Sequence, residues 1–269
     1  MNFPIYFHVG PLQVHPHFLF EALAYGAGFR LYVELRKVRG DFLDTRRRWW
    51  VIAAATTGAL IGALLLALLE NPTRLAEEWR EPSRLLAGKT IVGALVGGVL
   101  AVEWIKRRLD IKQKTGDLFA LPLCLGIAIG RIGCFLTGLA DQTYGTATSL
   151  PWAVDFGDGV RRHPTQLYEV IFLVALAMVL ARLWQQPYLR GDLFKLFMVS
   201  YLSFRLVIDF LKPEQRVFLG MSTIQWTCVA MLIYYRADIV RWLKRGGLAY
   251  ERVDTREGYE VRDPARANR

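Results

Sequence analysis

The sequence predicts an all-α integral membrane protein with about seven transmembrane helices, with its N-terminus outside and its C-terminus inside. Hydrophobic residues make up 53% of the 269-residue chain. They fall in recurrent apolar runs of about twenty residues, which is the length needed to cross a bilayer core. Basic residues are concentrated between those runs. Together, these observations indicate membrane spans rather than the core of a soluble domain.

The apolar runs define the spans. Residues 49–69, WWVIAAATTGALIGALLLALL, carry no charge at all. A buried helix of a soluble protein is rarely so long and uniformly apolar, so this segment is the strongest single prediction. The seven predicted spans are 16–35, 49–69, 88–105, 117–138, 166–184, 191–211 and 219–243. Residues 1–245 then form one membrane domain, followed by a charged tail at 246–269.

The orientation follows from the basic residues of the short loops. The first and third loops are strongly basic, whereas the second, at 70–87, mixes arginines with glutamates. Cytoplasmic loops carry the excess of Lys and Arg in membrane proteins. The N-terminus is therefore predicted outside and the C-terminus inside, with an extracytoplasmic loop at 139–165 and a solvated or disordered cytoplasmic tail. The N-terminus has neither a basic n-region nor a cleavage site, so no cleaved signal peptide is predicted.

Charge and cysteine usage exclude other classes. The net charge of +10 suits nucleic acid in principle. Here, however, the basic residues lie next to apolar spans, where they favour anionic lipid instead. Cys124, Cys134 and Cys228 lie inside apolar runs and have neither metal-ligand spacing nor a disulfide pattern. Nucleic acid is not predicted as a partner.

Polar residues inside the spans converge on the outer half of the membrane. Arg131 lies about 21 Å along the fourth span at 1.5 Å per residue. Buried charges are costly in a bilayer and mark functional sites by default. The other polar residues placed at this level are Glu21, His163, Gln166, Tyr168, Glu169, Arg205 and Asp209.

Two buried guanidinium groups among these residues predict an anion site. Arginine grips phosphate with paired N–H donors, so an outward-facing site in a bilayer suggests a phospholipid headgroup. Structural alternatives stay open: Arg205 and Asp209, four residues apart, can pair with each other. Arg131 can extend to the headgroups. Gly93 and Gly97, at GxxxG spacing, predict a helix-packing face.

Three sequence blocks carry a resemblance to a known family. GRIGCFLTG followed by YG, and RHPTQLYE at 162–169, resemble the G-R-x-G-N-F and H-P-[ST]-Q-L-Y-E blocks of the prolipoprotein diacylglyceryl transferase family. FRLVIDFLKPEQ at 204–215 resembles the family's F-R-x-x-x-E-x-x-R-x-P-D stretch. The resemblance covers nearly the whole chain, and the family's seven spans and external N-terminus agree with the predicted topology.

The resemblance implies an activity in the bacterial inner membrane. Members of the family move a diacylglyceryl group from phosphatidylglycerol to the lipobox cysteine of a prolipoprotein signal peptide. Arg131 and Arg205 would neutralise the phosphate, and Asp209 would orient Arg205. The implied catalytic residues are Arg131, Arg205, His163 and Glu169. The implied substrate-binding residues are Glu21, Gly130, Gly133, Cys134, Tyr144, Gln166, Tyr168 and Asp209. No metal or organic cofactor is implied; the partners are these two substrates and membrane lipid.

The chain departs from the family pattern at several positions. In the first block, Cys134 and Thr137 stand where the family has asparagines, and Asp141 is the nearest counterpart of a family glutamate. In the spans, Val92 replaces a histidine of the third span and Glu21 replaces a tyrosine of the first span. The proton acceptor is then His163 or Glu21, or the thiol ionises without one. Alternative functions are a paralogue with another acceptor and a non-catalytic protein that binds lipid or an anion. A third alternative makes Cys134, beside the Arg131 cation, a nucleophile.

Overall fold

The structure is a computed structural model and describes residues 3–40, 43–71, 88–186, 188–213, 216–245, 252–255 and 258–261. It is mostly helical. The α-helices are α1 (Pro16–Arg39), α2 (Thr45–Glu70), α3 (Ile91–Arg108), α4 (Asp117–Thr137), α5 (Thr165–Trp184), α6 (Asp192–Ile208), α7 (Thr223–Tyr234) and α8 (Arg236–Arg245). Short 3₁₀ turns, Gly138–Asp141 and Asp209–Leu211, extend α4 and α6.

The predicted spans correspond to these helices, with one division. The span predicted at 219–243 is two helices, α7 and α8, since α7 ends at Tyr234 and the charged α8 starts at Arg236. In the described part of the chain, three helices are long and apolar enough to cross a membrane: Thr45–Glu70, Asp117–Asp141 and Thr165–Trp184. The mixed-charge loop at 72–87 lies outside the described residues, as does most of the tail.

Within the described residues, three short antiparallel hairpins accompany the helices, and none of them was predicted from the sequence. They are β1 (Phe7–Val9) with β2 (Leu12–Val14), β3 (Val154–Asp155) with β4 (Arg161–Arg162), and β5 (Arg252–Thr255) with β6 (Gly258–Val261). The first precedes α1, the second lies in the long loop between α4 and α5, and the third lies in the tail. Strands of two to four residues carry too little periodicity to be recognised in a sequence.

Local side-chain caps fix where several helices begin. The Asp44 carboxylate accepts the Arg47 N–H at the start of α2, and the Thr90 hydroxyl accepts the Gly93 N–H at the start of α3. At α7, Ser222 and Gln225 form a reciprocal capping box. Such caps satisfy N–H groups that have no partner within the helix. They matter more in a bilayer, where water does not substitute.

The outer surfaces of the helices are apolar. Large side chains such as Leu60, Leu65, Leu100, Ile171 and Val174 are about half exposed. Soluble proteins rarely expose apolar residues along whole helices, whereas lipid-facing helices do so by necessity. The exposed apolar faces and the three long helices fit a membrane protein.

Helices α2 and α3 touch backbone to backbone through glycines. A Cβ placed on Gly62 would lie 2.3 Å from the Gly93 carbonyl oxygen, and one on Gly97 would lie 2.2 Å from that of Gly58. The predicted packing role of the Gly93 and Gly97 pair is thereby confirmed. The partner face on α2, Gly58 and Gly62, has the same four-residue spacing, which places small residues opposite small residues.

Gly97→Ala is expected to destabilise the fold by about 1–3 kcal/mol, the usual cost of overpacking. The added methyl group meets a backbone carbonyl, which cannot rotate away, so the helices must separate. Unfolding in mixed micelles, followed by circular dichroism, measures this. Gly98→Ala is the matched control, because its nearest new neighbour, the Ala55 oxygen, is 3.5 Å away. Equal stabilities for the two variants would contradict the close contact.

Candidate functional site

The site forms at one end of the bundle, where α1 and α4 approach closely. Gly133 permits this approach, because a Cβ there would lie 2.6 Å from Cβ of Phe20 on α1. Helix α4 ends at Thr137 and is capped by Gly138, whose φ of 70° is a conformation that glycine adopts without strain. The chain then turns through the Gly138–Asp141 3₁₀ helix. The first turn of α1, the end of α4 and Asp141 are thereby brought together.

A buried ionic cluster joins α4, α5 and α6. The Glu169 Oε2 atom lies 2.9 Å from Nε of Arg131 and 3.2 Å from Nη1 of Arg205, so both guanidinium groups meet at one oxygen. Tyr201 donates to the other oxygen, Oε1, at 2.6 Å. All four side chains are buried. Three of the residues predicted to converge, Arg131, Glu169 and Arg205, therefore do so.

Asp209 extends the cluster. Its Oδ1 lies 2.8 Å from Nη2 of Arg205 and 3.5 Å from Nζ of Lys212. The structural alternative, in which Arg205 pairs with Asp209, is thus correct as a contact, but Arg205 also reaches Glu169. Neither Lys212 nor Tyr201 is among the site residues predicted from the sequence. Lys212 follows Arg205 by seven residues, at the position of the second arginine in the family's F-R-x-x-x-E-x-x-R stretch, and that spacing was the available signal.

Gln166 is the one amide in the predicted set, and its side chain is 1% exposed. Neither its Nε2 nor its Oε1 has a hydrogen-bond partner among the described residues. Nε of Arg205 is in the same condition. Buried polar groups are nearly always paired, and an unpaired one calls for an explanation such as a ligand. Both residues lie on helices of the cluster, α5 and α6.

A second group of polar residues adjoins the cluster on the α1 side. His17 Nδ1 lies 2.8 Å from Oδ1 of Asp141. Ligand atoms of His17, Cys134 and Asp141 all lie within 4.8 Å of one another. Nη1 of Arg131 is 3.8 Å from the Cys134 sulfur, which connects this group to the ionic cluster. His17 is not among the predicted site residues, although this histidine stands four residues before Glu21 at the start of the first span.

Glu21 belongs to this second group rather than to the arginine cluster. Its Oε2 lies 3.9 Å from Nε2 of His17, and its Oε1 accepts from the Tyr25 hydroxyl at 3.0 Å. Lys89 is 3.6 Å away. Val92, at the position where the family has a histidine, is 1% exposed and packs in the apolar core. No polar side chain stands at that position of α3.

Other predicted residues form a separate network in the loop between α4 and α5 and at the start of α5. The Tyr168 hydroxyl lies 3.2 Å from Nδ1 of His163 and accepts from Nε1 of Trp152 at 2.7 Å. The Tyr144 ring lies beneath the Arg162 guanidinium, 5.1 Å from its centre. None of the contacts within the described residues joins His163 or Tyr144 to Arg131. Gly130 has open space where a Cβ would stand, with no atom within 4 Å.

One ion pair fixes the β3–β4 hairpin of this loop. Arg162 donates from Nη1 to Oδ1 of Asp158 at 2.7 Å. This hydrogen bond holds the pKa of the Asp158 carboxyl below its usual value. The carboxylate therefore stays ionised through the neutral and mildly acidic range, and the turn keeps its ion pair there.

Fold and site together define a helical membrane protein with buried cationic groups at one end of its bundle. Within that class the chain belongs to the prolipoprotein diacylglyceryl transferase family, whose model matches residues 4–240. The family resemblance predicted from the sequence is thus confirmed. The membrane character of the chain and its place among the transferases of lipoprotein biosynthesis are confirmed with it.

Named relatives cover most of the chain. A phosphatidylglycerol–prolipoprotein diacylglyceryl transferase of Pseudomonas aeruginosa strain UCBPP-PA14 is 30% identical over 244 residues, which are 86% of this chain and 87% of that protein. Proteins of the same name from Actinobacillus pleuropneumoniae serotype 3 and Bordetella parapertussis are each 28% identical, over 78% and 86% of this chain and 80% and 91% of their own lengths.

Proposed function

We propose that the protein transfers a diacylglyceryl group from phosphatidylglycerol to the lipobox cysteine of a prolipoprotein signal peptide. The observation that carries the proposal is the meeting of Arg131 and Arg205 at one oxygen of Glu169, 2.9 and 3.2 Å away. The names of the relatives state the same two substrates. In this reaction the acceptor sulfur attacks a glyceryl carbon, and glycerol phosphate leaves with the electron pair of the broken C–O bond.

The cluster suits a leaving phosphate because its donors are fixed before the substrate arrives. A guanidinium carries five N–H donors. Contacts with Glu169 and Cys134 use Nε and Nη1 of Arg131, and contacts with Glu169 and Asp209 use Nη1 and Nη2 of Arg205. The donors that remain can grip the phosphate while Glu169 and Asp209 hold the planes of the two groups. In many enzymes, preorganised donors that stabilise the charge developing in the transition state supply most of the rate enhancement.

The proposal includes the topology predicted from the loops. Seven spans would cross the bacterial inner membrane, with the N-terminus and the loop at 139–165 outside and the tail at 246–269 inside. Arg131 near the end of α4, Glu169 near the start of α5 and Arg205 near the end of α6 support a site close to one membrane face. A thiol-reactive membrane-impermeant label on single-cysteine variants in the external loop and the tail tests this arrangement.

A transfer assay tests the activity. Purified protein is incubated with phosphatidylglycerol labelled in its diacylglyceryl group and a lipobox peptide, and label on the peptide is measured. We expect label on the cysteine thiol, with none on a Cys-to-Ser peptide. Labelled lipid that binds without transfer to any thiol peptide would overturn the proposal.

The second candidate function is phospholipid binding without transfer. The observation that favours it is the buried Val92, which leaves α3 without the histidine that the family has there. A binding protein needs the arginine cluster but no proton acceptor. The same assay separates the two functions, since binding persists in both but labelled peptide forms in one.

Gln166→Met is expected to make the ligand-free protein about 1–3 kcal/mol more stable, because it removes an unpaired buried amide. It should also weaken phosphatidylglycerol binding, because the amide is proposed to contact the headgroup. Unfolding and lipid-binding titrations in detergent measure the two effects. Gln225→Met is the matched control. Gln225 is equally buried, but its amide accepts from Ser222 and Arg216 and donates to Leu206, so this variant should lose stability and keep binding. Destabilisation by Gln166→Met would count against a headgroup contact.

A further inference from the structure

His17, Cys134 and Asp141 form a cluster that the proposed reaction has not used. One nitrogen, one sulfur and one carboxylate oxygen lie mutually within 4.8 Å. They come from three elements, namely the first turn of α1, the last turn of α4 and the 3₁₀ helix that follows it. The three atoms therefore form a triangle that can surround a common point.

We infer that this triangle is a Zn²⁺ site with three protein ligands and an open fourth position. Zn²⁺ takes nitrogen, sulfur and carboxylate oxygen in tetrahedral geometry, and catalytic zinc sites keep one position for water or substrate. With ligand distances of about 2.0–2.3 Å, tetrahedral geometry places ligand atoms about 3.3–3.6 Å apart, which is within the 4.8 Å limit observed. The His17 Nδ1 and Asp141 Oδ1 atoms, now 2.8 Å apart, would separate by about 0.5 Å as the ion replaces the proton between them. The mixed set of one thiolate, one imidazole and one carboxylate disfavours Mg²⁺ and Ca²⁺, which prefer oxygen alone.

The surroundings of two ligands resemble those of metal-bound residues. Asp141 Oδ2 accepts from the Thr143 hydroxyl at 2.5 Å, which leaves Oδ1 directed toward His17. On the other side of the imidazole, the Glu21 carboxylate lies 3.9 Å from Nε2. Metal-bound histidines commonly carry a carboxylate on the nitrogen that does not bind the metal, and metal-bound carboxylates are hydrogen-bonded in turn. Nδ1 of His17 is therefore the assigned ligand atom.

The Gly133 contact fixes the backbones that carry two of the ligands. Because α1 lies against α4 at this glycine, the first turn of α1, with His17, is held beside the last turn of α4, with Cys134. Cys134 and Asp141 are both largely buried, while the His17 side chain is 45% exposed. The triangle is thus accessible at His17, as a site for an incoming ligand requires.

The proposed ligand at the fourth position is the acceptor thiol, and this assignment rests on the proposed function. A thiol that coordinates Zn²⁺ gives up its proton, here to water. The bound sulfur then attacks the glyceryl carbon, a C–S bond forms, and the C–O bond breaks. Its electron pair leaves with glycerol phosphate, near the Arg131 guanidinium that lies 3.8 Å from the Cys134 sulfur. The metal thereby replaces the base that Val92 cannot provide.

Metal binding is tested on the purified full-length protein without any substrate. We expect one equivalent of Zn²⁺ by elemental analysis, and with Co²⁺ a thiolate-to-metal charge-transfer band and tetrahedral visible bands. Cys134→Ser and His17→Ala should lose the charge-transfer band. Changing a residue that only supports a ligand lowers the metal affinity by about 10–100-fold, and these two variants should lower the Zn²⁺ affinity by more than that. Thr143→Val should fall within that 10–100-fold range. Asp141→Asn retains the shape of the side chain. It replaces Cys134→Ser and His17→Ala as the test of metal binding if those variants do not fold.

Cys124→Ala is the matched control, because Cys124 is another buried thiol of α4 and lies in the apolar core. It should bind Co²⁺ with the same band as the unaltered protein. Substoichiometric binding by the unaltered protein, or an unchanged band in Cys134→Ser, would overturn the inference.

The transfer assay separates this inference from the proposed function. Stoichiometric metal that depends on Cys134, in a protein without transfer activity, supports the site and refutes the proposed function. Transfer that survives complete removal of the metal supports the proposed function and overturns the metal site. If both hold, a chelator abolishes transfer and Zn²⁺ restores it.

Discussion

Arg131→Ala is expected to lower the rate of diacylglyceryl transfer by about 10²–10³-fold, the loss typical when one preorganised donor is removed from a developing oxyanion. The substitution also leaves the buried Glu169 with one guanidinium partner fewer. Removing one partner of a buried ion pair costs about 3–5 kcal/mol. Loss of activity in this variant alone therefore does not distinguish catalysis from folding.

A double variant, Arg131→Met with Glu169→Gln, makes the distinction. It removes the cation and the anion together, and Arg205 keeps Asp209 at 2.8 Å as its partner. We expect most of the stability to return while transfer stays lost, as measured by micellar unfolding and by labelled peptide. Recovery of transfer in the double variant would show that Arg131 supports the fold and does not act on the phosphate.

Glu169→Ala is expected to lower stability most, toward the upper end of the range of about 3–5 kcal/mol, because two cations lose their partner. Two buried guanidinium groups and the Tyr201 hydroxyl all lose the carboxylate on which they meet. The two cations then repel each other in a medium that screens them poorly. Unfolding in mixed micelles measures the loss, and transfer activity should fall with it because the arginines separate.

Glu34→Ala is the control for this effect. Glu34 also contacts two cations, Arg30 at 3.0 Å and Lys37 at 3.2 Å, but on an exposed face of α1. Exposed pairs contribute about 0–1 kcal/mol. A Glu169→Ala variant no less stable than Glu34→Ala would mean that the cluster is not shielded from solvent.

Much of the site was predictable because charge inside a span is so costly. Arg131, Glu169 and Arg205 stood out in apolar runs, and their common depth followed from the orientation of the spans. The structure brings these three together. Their functional roles remain predictions.

The site residues that the sequence did not predict stand among sequence neighbours that do not single them out. His17 stands at the edge of a span beside other histidines, where a polar residue is ordinary, and only the Gly133 contact between α1 and α4 places it beside Cys134. His163 shows the opposite case. A specific motif predicted it, but the structure joins it to Tyr168, whose hydroxyl also accepts from Trp152, and not to the arginines. Contacts between distant elements depend on which helices pack together, and a local pattern such as GxxxG marks a packing face without specifying its partner.

The burial of the arginine cluster has a consequence for ionic strength. Mobile ions screen exposed charges over about 8–10 Å at ordinary salt concentrations, but they reach buried groups far less. Attraction of the basic loops to an acidic bilayer should therefore fade as salt is added. The grip of Arg131 and Arg205 on a single headgroup should persist, so a salt series separates general adhesion to the membrane from occupancy of the site.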